Sequence, residues 1–207
     1  MNAVKTVKTT SLLLLLALSL NGCSTMLKGE PRAAEGTQPP TGITYEQEIE
    51  KFSRGETEYA GLYNNFEFKA TILNSEVRNT ILTKQTNAYQ WDSARAATER
   101  EKANQEMASS TQVFLAFFTP DFRNDNLTDP KAIWKIYLDA GGRRYEAKIK
   151  RLYTLLAELQ SIYPYYTRWT TPYIATFDVP TAAIESQTAK FTVTGPLGTR
   201  EVELPGL

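Results

Sequence analysis

From Asn65 to Ile72 apolar residues fall on every second position, which places Phe66, Phe68, Ala70 and Ile72 on one face of a strand and leaves the other face polar and wet. Val113 to Phe118 is apolar on both faces and predicts a central strand that ends before Pro120. Trp134, Ile136 and Leu138 alternate with Lys135 and Tyr137. The stretch Asp139 to Arg143, with Gly141-Gly142 inside it, then supplies a hairpin turn, and Tyr145, Ala147 and Ile149 continue on the return strand. Tyr173, Ala175 and Phe177 repeat the alternation against Ile174, Thr176 and Asp178. Phe191 to Val193 leads into the turn Gly195-Pro196-Leu197-Gly198, after which Val202 and Leu204 form the inward face of a closing strand.

Two segments break the period of two. From about Ser75 to Met107 the chain lacks strand alternation and is rich in Ala, Glu, Arg and Gln beyond Asp92, so a helix or helical pair is expected, with Asp92 or Ser93 as an N-cap. Its apolar stripe of Ala94, Ala97, Ala103 and Met107 has little bulk and predicts shallow packing. Leu152, Leu155, Leu156, Leu159 and Ile162 follow helical spacing and stop at Pro164. Six or seven short strands with turn signals between them predict a mainly β fold. The form expected is an antiparallel two-layer β-sandwich, immunoglobulin-like in general shape, with a long helical insertion at about 75–108 and a short helix at about 151–162. The paired cysteines and flanked tryptophan of antibody domains are absent from the sequence.

The first two dozen residues carry a different pattern. Lys5 and Lys8 precede an apolar run from Leu12 to Leu20, too short to span a bilayer, and Leu20-Asn21-Gly22-Cys23 follows. This stretch resembles the bacterial lipoprotein family, whose lipobox has Leu three places before the cysteine and a small residue just before it. Asn21 is a less usual occupant of its place. The resemblance implies that residues 1–22 are a signal peptide cleaved before Cys23, with diacylglycerol on the Cys23 thioether and an acyl chain on its amine. Ser24 after the cysteine implies the outer membrane, with the domain facing the periplasm. Cys23 is the single cysteine of the chain, so no intramolecular disulfide forms and lipidation gives the thiol a use. Residues 23–42, with Gly29, Pro31, Gly36, Pro39, Pro40 and Gly42 and few large apolar side chains, read as a lipidated tether. Residues 43–207 are then a single domain of ordinary size.

The chain has 23 basic and 23 acidic residues, and loss of Lys5 and Lys8 with the signal leaves 21 against 23. Such a balance gives no reason to expect nucleic acid as a partner. There are no histidines, which removes Ser-His-Asp and Cys-His catalysis and histidine-ligated metals. Acylation of Cys23 would remove thiolate chemistry too, and no phosphate-binding G-x-x-x-x-G-K-[ST] loop is present. No cofactor is expected beyond the lipid on Cys23. A carboxylate-pair hydrolase is the minor enzymatic alternative, since the acids are many and their separation is spatial.

Two clusters are candidate sites. Asp121, Asp125 and Asp129 fall in one loop with Asn124 and Asn126, hard oxygen ligands of the kind Ca²⁺ takes, but without the spacing or glycine of an EF-hand; a structural turn is the favoured reading. Tyr163 to Tyr173 holds Tyr165, Tyr166, Arg168 and Trp169, residue types that dominate binding at interfaces and platforms for sugar rings. The favoured reading makes Trp169 and some of the tyrosines a plug for the end of the sandwich below the Leu152 to Ile162 helix, and alternate residues pointing in and out would satisfy both. The expectation overall is a noncatalytic, lipid-anchored envelope protein that binds or scaffolds a membrane neighbour, with a protein partner favoured and a peptidoglycan- or glycan-binding module as the alternative.

Overall fold

The computed structural model describes residues 42–206; the signal, Cys23 and the tether up to Thr41 lie outside the described residues. The chain opens with α1 (Tyr45–Lys51), which a reciprocal pair of hydrogen bonds fixes: Gln47 N–H donates to Thr44 Oγ1 (3.3 Å) and Thr44 N–H to Gln47 Oε1 (2.9 Å). There follow β1 (Ser53–Ala60), β2 (Tyr63–Ile72), α2 (Ser75–Ala88), α3 (Ser93–Ser109) and β3 (Thr111–Phe118). After a long loop come β4 (Lys135–Ala140), β5 (Arg143–Glu146), β6 (Lys148–Arg151) and α4 (Leu156–Ile162). The chain ends with β7 (Thr171–Phe177), α5 (Ala182–Glu185), β8 (Ala189–Gly195) and β9 (Gly198–Leu204).

Two antiparallel sheets result, ordered β1-β2-β3-β7-β6 and β5-β4-β8-β9. The mainly β sandwich expected from the sequence is the observed architecture. The return strand through Tyr145, Ala147 and Ile149 is extended throughout but divides between the sheets: Tyr145 pairs with Leu138 in one and Ile149 with Ala175 in the other. Ala147 is the crossing point, its N–H donating to Ile136 O at 2.9 Å. At the opposite margin Arg200 of β9 reaches β1, its Nε 2.7 Å from Glu58 Oε2 and 3.2 Å from the Thr57 carbonyl it donates to. The two sheets are therefore joined at both margins. On β1, Arg54, Glu56 and Glu58 stand opposite the core residues Ala70, Phe68 and Phe66. Inward-pointing charge of this kind guards an edge strand against pairing with other chains.

Alternation puts Phe66, Phe68, Ala70 and Ile72 in the core with Val113, Leu115, Phe117, Tyr173, Ala175 and Phe177, facing Ile136, Leu138, Phe191, Val193, Val202 and Leu204 from the other sheet. Phe191 lies 5.8 Å from Phe68 and 6.3 Å from Phe177, ring centre to ring centre. Full burial of side chains this large contributes about 1.5–3 kcal/mol each.

The outer face of the five-stranded sheet is not wet where β2 and β3 cross it. Thr71 is fully buried, and Phe114 stacks flat on Tyr163 with ring centres 3.5 Å apart. This second covering layer, built from α1 and the segment around α4, explains why Val113 to Phe118 needs apolar residues on both faces.

The helical insertion is a pair, α2 and α3, each N-capped by a side-chain oxygen: Asn74 Oδ1 accepts from Val77 N–H at 2.9 Å and Asp92 Oδ1 from Arg95 N–H at 2.7 Å. Of the thin stripe expected on α3, Ala103 is buried and Met107 half-buried, while Ala94 and Ala97 face solvent. The short helix starts later than its leucine spacing suggests. Arg151 still pairs with Tyr173, and Leu152 N–H donates to Pro172 O at 2.9 Å, so β-pairing holds the chain extended through Leu152. Leu155 is consequently exposed and Leu159 alone of the five is buried.

Candidate functional surface at the loop end

Because the strands are antiparallel, β1, β3 and β6 finish at the same end of the sheet at which β2 and β7 begin. The β1–β2 turn, the 119–134 loop and both ends of the 152–170 segment therefore converge there. The β8–β9 turn joins them: Asn65 at the start of β2 donates from Nδ2 to Leu197 O at 2.7 Å. This end carries large apolar side chains in solvent. Leu62, at the apex of the β1–β2 turn, is 98% exposed, flanked by Tyr59 and by Tyr63 at 79%; Phe122 is 81%, Tyr153 90% and Trp169 74% exposed. Isolated exposed leucines are ordinary, and Ile43, Tyr89 and Leu155 are exposed as well, but a group of six large side chains at one end marks a contact surface.

The loops bearing them are fixed from beneath. Trp134 fills the end of the core against Phe66 (4.8 Å) and Phe117 (5.5 Å) and donates from Nε1 to Asn124 O at 2.7 Å. Gly195 makes room for it, since a Cβ there would sit 2.6 Å from Trp134 Cε3. The Tyr173 hydroxyl donates to the Asp125 carbonyl and accepts from Leu127 N–H. Asp121 caps the 3-10 turn Phe122–Asn124 through Arg123 N–H (3.1 Å) and holds the Arg123 guanidinium at 2.8 Å. That guanidinium keeps the Asp121 carboxyl below its usual range. With the turn fixed, the Phe122 ring stands in solvent at little further entropic cost when it makes a contact.

The structure divides the aromatic segment. Tyr163 and Tyr166 are buried and Tyr165 is half-buried; the Tyr165 hydroxyl is hydrogen-bonded to Thr71, and Lys69 lies over its ring at 4.6 Å. Burial raises the titration of all three tyrosines above its ordinary value. Arg168 and Trp169 are exposed. The candidate quartet is therefore not brought onto one surface: two tyrosines seal the outer face of the sheet, and the two residues nearest β7 remain available. The plug at the end of the sandwich is Trp134 instead of Trp169.

Asp121, Asp125 and Asp129 serve separate turns. Asp125 Oδ2 accepts from Thr171 Oγ1 at 3.2 Å and Asp129 Oδ1 from Lys131 N–H at 2.7 Å, and among the described residues no three acidic side chains assemble into a metal-binding group. Asp139 is held below the usual carboxylate range by its hydrogen-bonded pair with Arg144, in an open groove of about 620 Å³ that Glu203 also lines. A general acid of a carboxylate-pair hydrolase requires the reverse displacement. Cys23 lies outside the described residues.

Leu62, Tyr63, Tyr59 and Phe122 were not singled out by sequence reasoning. The usable signal was a leucine directly after Gly61, whose φ of 62° marks a turn position, because a turn apex is ordinarily polar. Comparison with protein-family models, with characterised proteins and with solved structures finds no match to this chain.

Proposed function

We propose that the protein is a lipid-anchored, noncatalytic binding component of the cell envelope, held at the outer membrane through Cys23, facing the periplasm and acting as a scaffold whose loop end meets a neighbouring envelope component. The observation that carries this reading is the set of large apolar side chains displayed at one end on loops that the core and turn hydrogen bonds hold in place. The lipobox supports the anchor, and anchoring raises the effective concentration of every neighbour at the same membrane, so that a small surface suffices.

Intact mass and membrane fractionation of the protein, beside Cys23→Ala, test the anchor, while chemical crosslinking in cells with wild type and Leu62→Asp/Trp169→Ala tests the surface. The expected result is an acylated, membrane-bound wild type, an unacylated Cys23→Ala protein, and a neighbour whose capture falls at least tenfold in the double variant. A wild-type protein of unmodified mass, or capture indifferent to the double variant, contradicts the proposal.

A further inference from the structure

We infer that the neighbour met by the loop end is the phospholipid bilayer itself, with Leu62 and Phe122 entering the acyl region and Tyr59, Tyr63, Tyr153 and Trp169 lying at headgroup level. This inference rests on the lipid-anchored reading and names the partner of the same surface. Three observations favour a bilayer. The first is the residue set: a leucine apex with amphipathic tyrosine and tryptophan rings around it is the composition enriched at membrane interfaces.

The second is the state of the charges at this end. Asp121 is paired with Arg123 and Glu58 with Arg200, so these two acidic charges are locally compensated, and Asp129 is the exposed acid of the 119–134 loop outside the ion pairs. Arg151 lies over the Tyr153 ring at 5.8 Å and Arg168 adjoins Trp169 in solvent, where either can meet a lipid phosphate. The third is reach. Eighteen residues, or nineteen steps of chain, separate Cys23 from Gly42, at most ~65 Å, whereas the ten residues of β2 span about 33 Å. An anchor at Cys23 thus leaves enough chain for either end of the sandwich to face the bilayer, and it makes docking intramolecular, so that a few shallowly inserted side chains suffice.

The test uses the mature full-length protein with its native lipid, placed in phosphatidylethanolamine/phosphatidylglycerol vesicles with either ordinary or brominated acyl chains, bromine quenching any tryptophan that lies in the membrane interface. Intact mass and vesicle flotation are read on the same samples. Of the three tryptophans, only Trp169 belongs to the exposed loop-end set, so brominated lipid is expected to remove roughly a third of the emission. Trp169→Phe and Leu62→Asp/Tyr63→Asp, both folded by circular dichroism, are expected to abolish that loss. Unquenched emission from acylated protein that floats with vesicles overturns the docking and leaves the anchor standing. Quenching that persists in Leu62→Asp/Tyr63→Asp overturns the assignment to the loop end. An unmodified mass without flotation overturns the anchor, and this inference with it.

Discussion

At the scale of single residues, neighbouring aromatic positions between Tyr163 and Trp169 have opposite tasks. Tyr163 stacks on Phe114 in a fully covered layer, whereas Trp169 stands in solvent. Tyr163→Ala is expected to destabilise the domain by about 3–5 kcal/mol, the usual loss on truncating a buried aromatic, while Trp169→Ala is expected to stay within about 0.5 kcal/mol of wild type. Chemical denaturation of the two variants checks both, and a Trp169→Ala protein that unfolds would return that side chain to the core. The buried tyrosines also set an alkaline limit. Burial raises Tyr163 and Tyr165 above the ordinary tyrosine value of 10.0, so the folded state keeps protons that the unfolded chain releases. Their contribution to stability is complete below about pH 10 and falls as the pH rises beyond it toward the folded values. Titration followed by tyrosinate absorbance and circular dichroism should show these two ionising late and together with unfolding; ionisation of every tyrosine near pH 10 with the fold intact would contradict this.

At the scale of elements, close packing between a turn and the end plug makes its own prediction. A Cβ at position 195 would lie 2.6 Å from Trp134 Cε3 and 2.9 Å from the Ile133 carbonyl, so Gly195→Ala should cost about 1–3 kcal/mol by displacing the plug. Thermal unfolding reads this, and an unchanged midpoint would show that the tryptophan yields freely. The strands with strict alternation, β2, β7 and β9, were legible in the sequence because one face of each meets the same core, and periodicity reports that directly. The doubly apolar β3 was legible as central. What covers its second face was not, since Tyr163, Tyr165 and Tyr166 reach Phe114 from a distant part of the sequence. Helix α1 was missed because it is seven residues long, too short for periodicity to register. The strand β1 was missed because its inward positions carry Arg54, Glu56 and Glu58, charge that protects an edge and hides it from a hydrophobic reading. The crossing at Ala147 was illegible because an extended chain has the same period on either side of a change of sheet. The leucines of 152–162 suggested too long a helix for the converse reason, pairing to β7 overriding local spacing.

At the scale of the whole molecule, the antiparallel topology gathers four connections at one end, and the candidate surface exists only because of that gathering. Half of it was visible as the aromatic run near Trp169. The other half, Leu62 and Phe122, comes from loops 60 residues apart in the sequence, which no local pattern joins. Flotation of wild type and Cys23→Ala is expected to separate them, wild type rising with membranes and the unacylated variant losing that firm attachment, because several acyl chains anchor far more strongly than a few exposed side chains. The central claim is that a lipid-held domain makes its contact through this end. Its most direct test places a photo-crosslinking amino acid at position 62 in cells, with position 97, exposed on α3, as the comparison. The account predicts an adduct with an envelope component, lipid or protein, from position 62 and little or none from position 97; equal labelling from the two positions, or none from position 62, would contradict it.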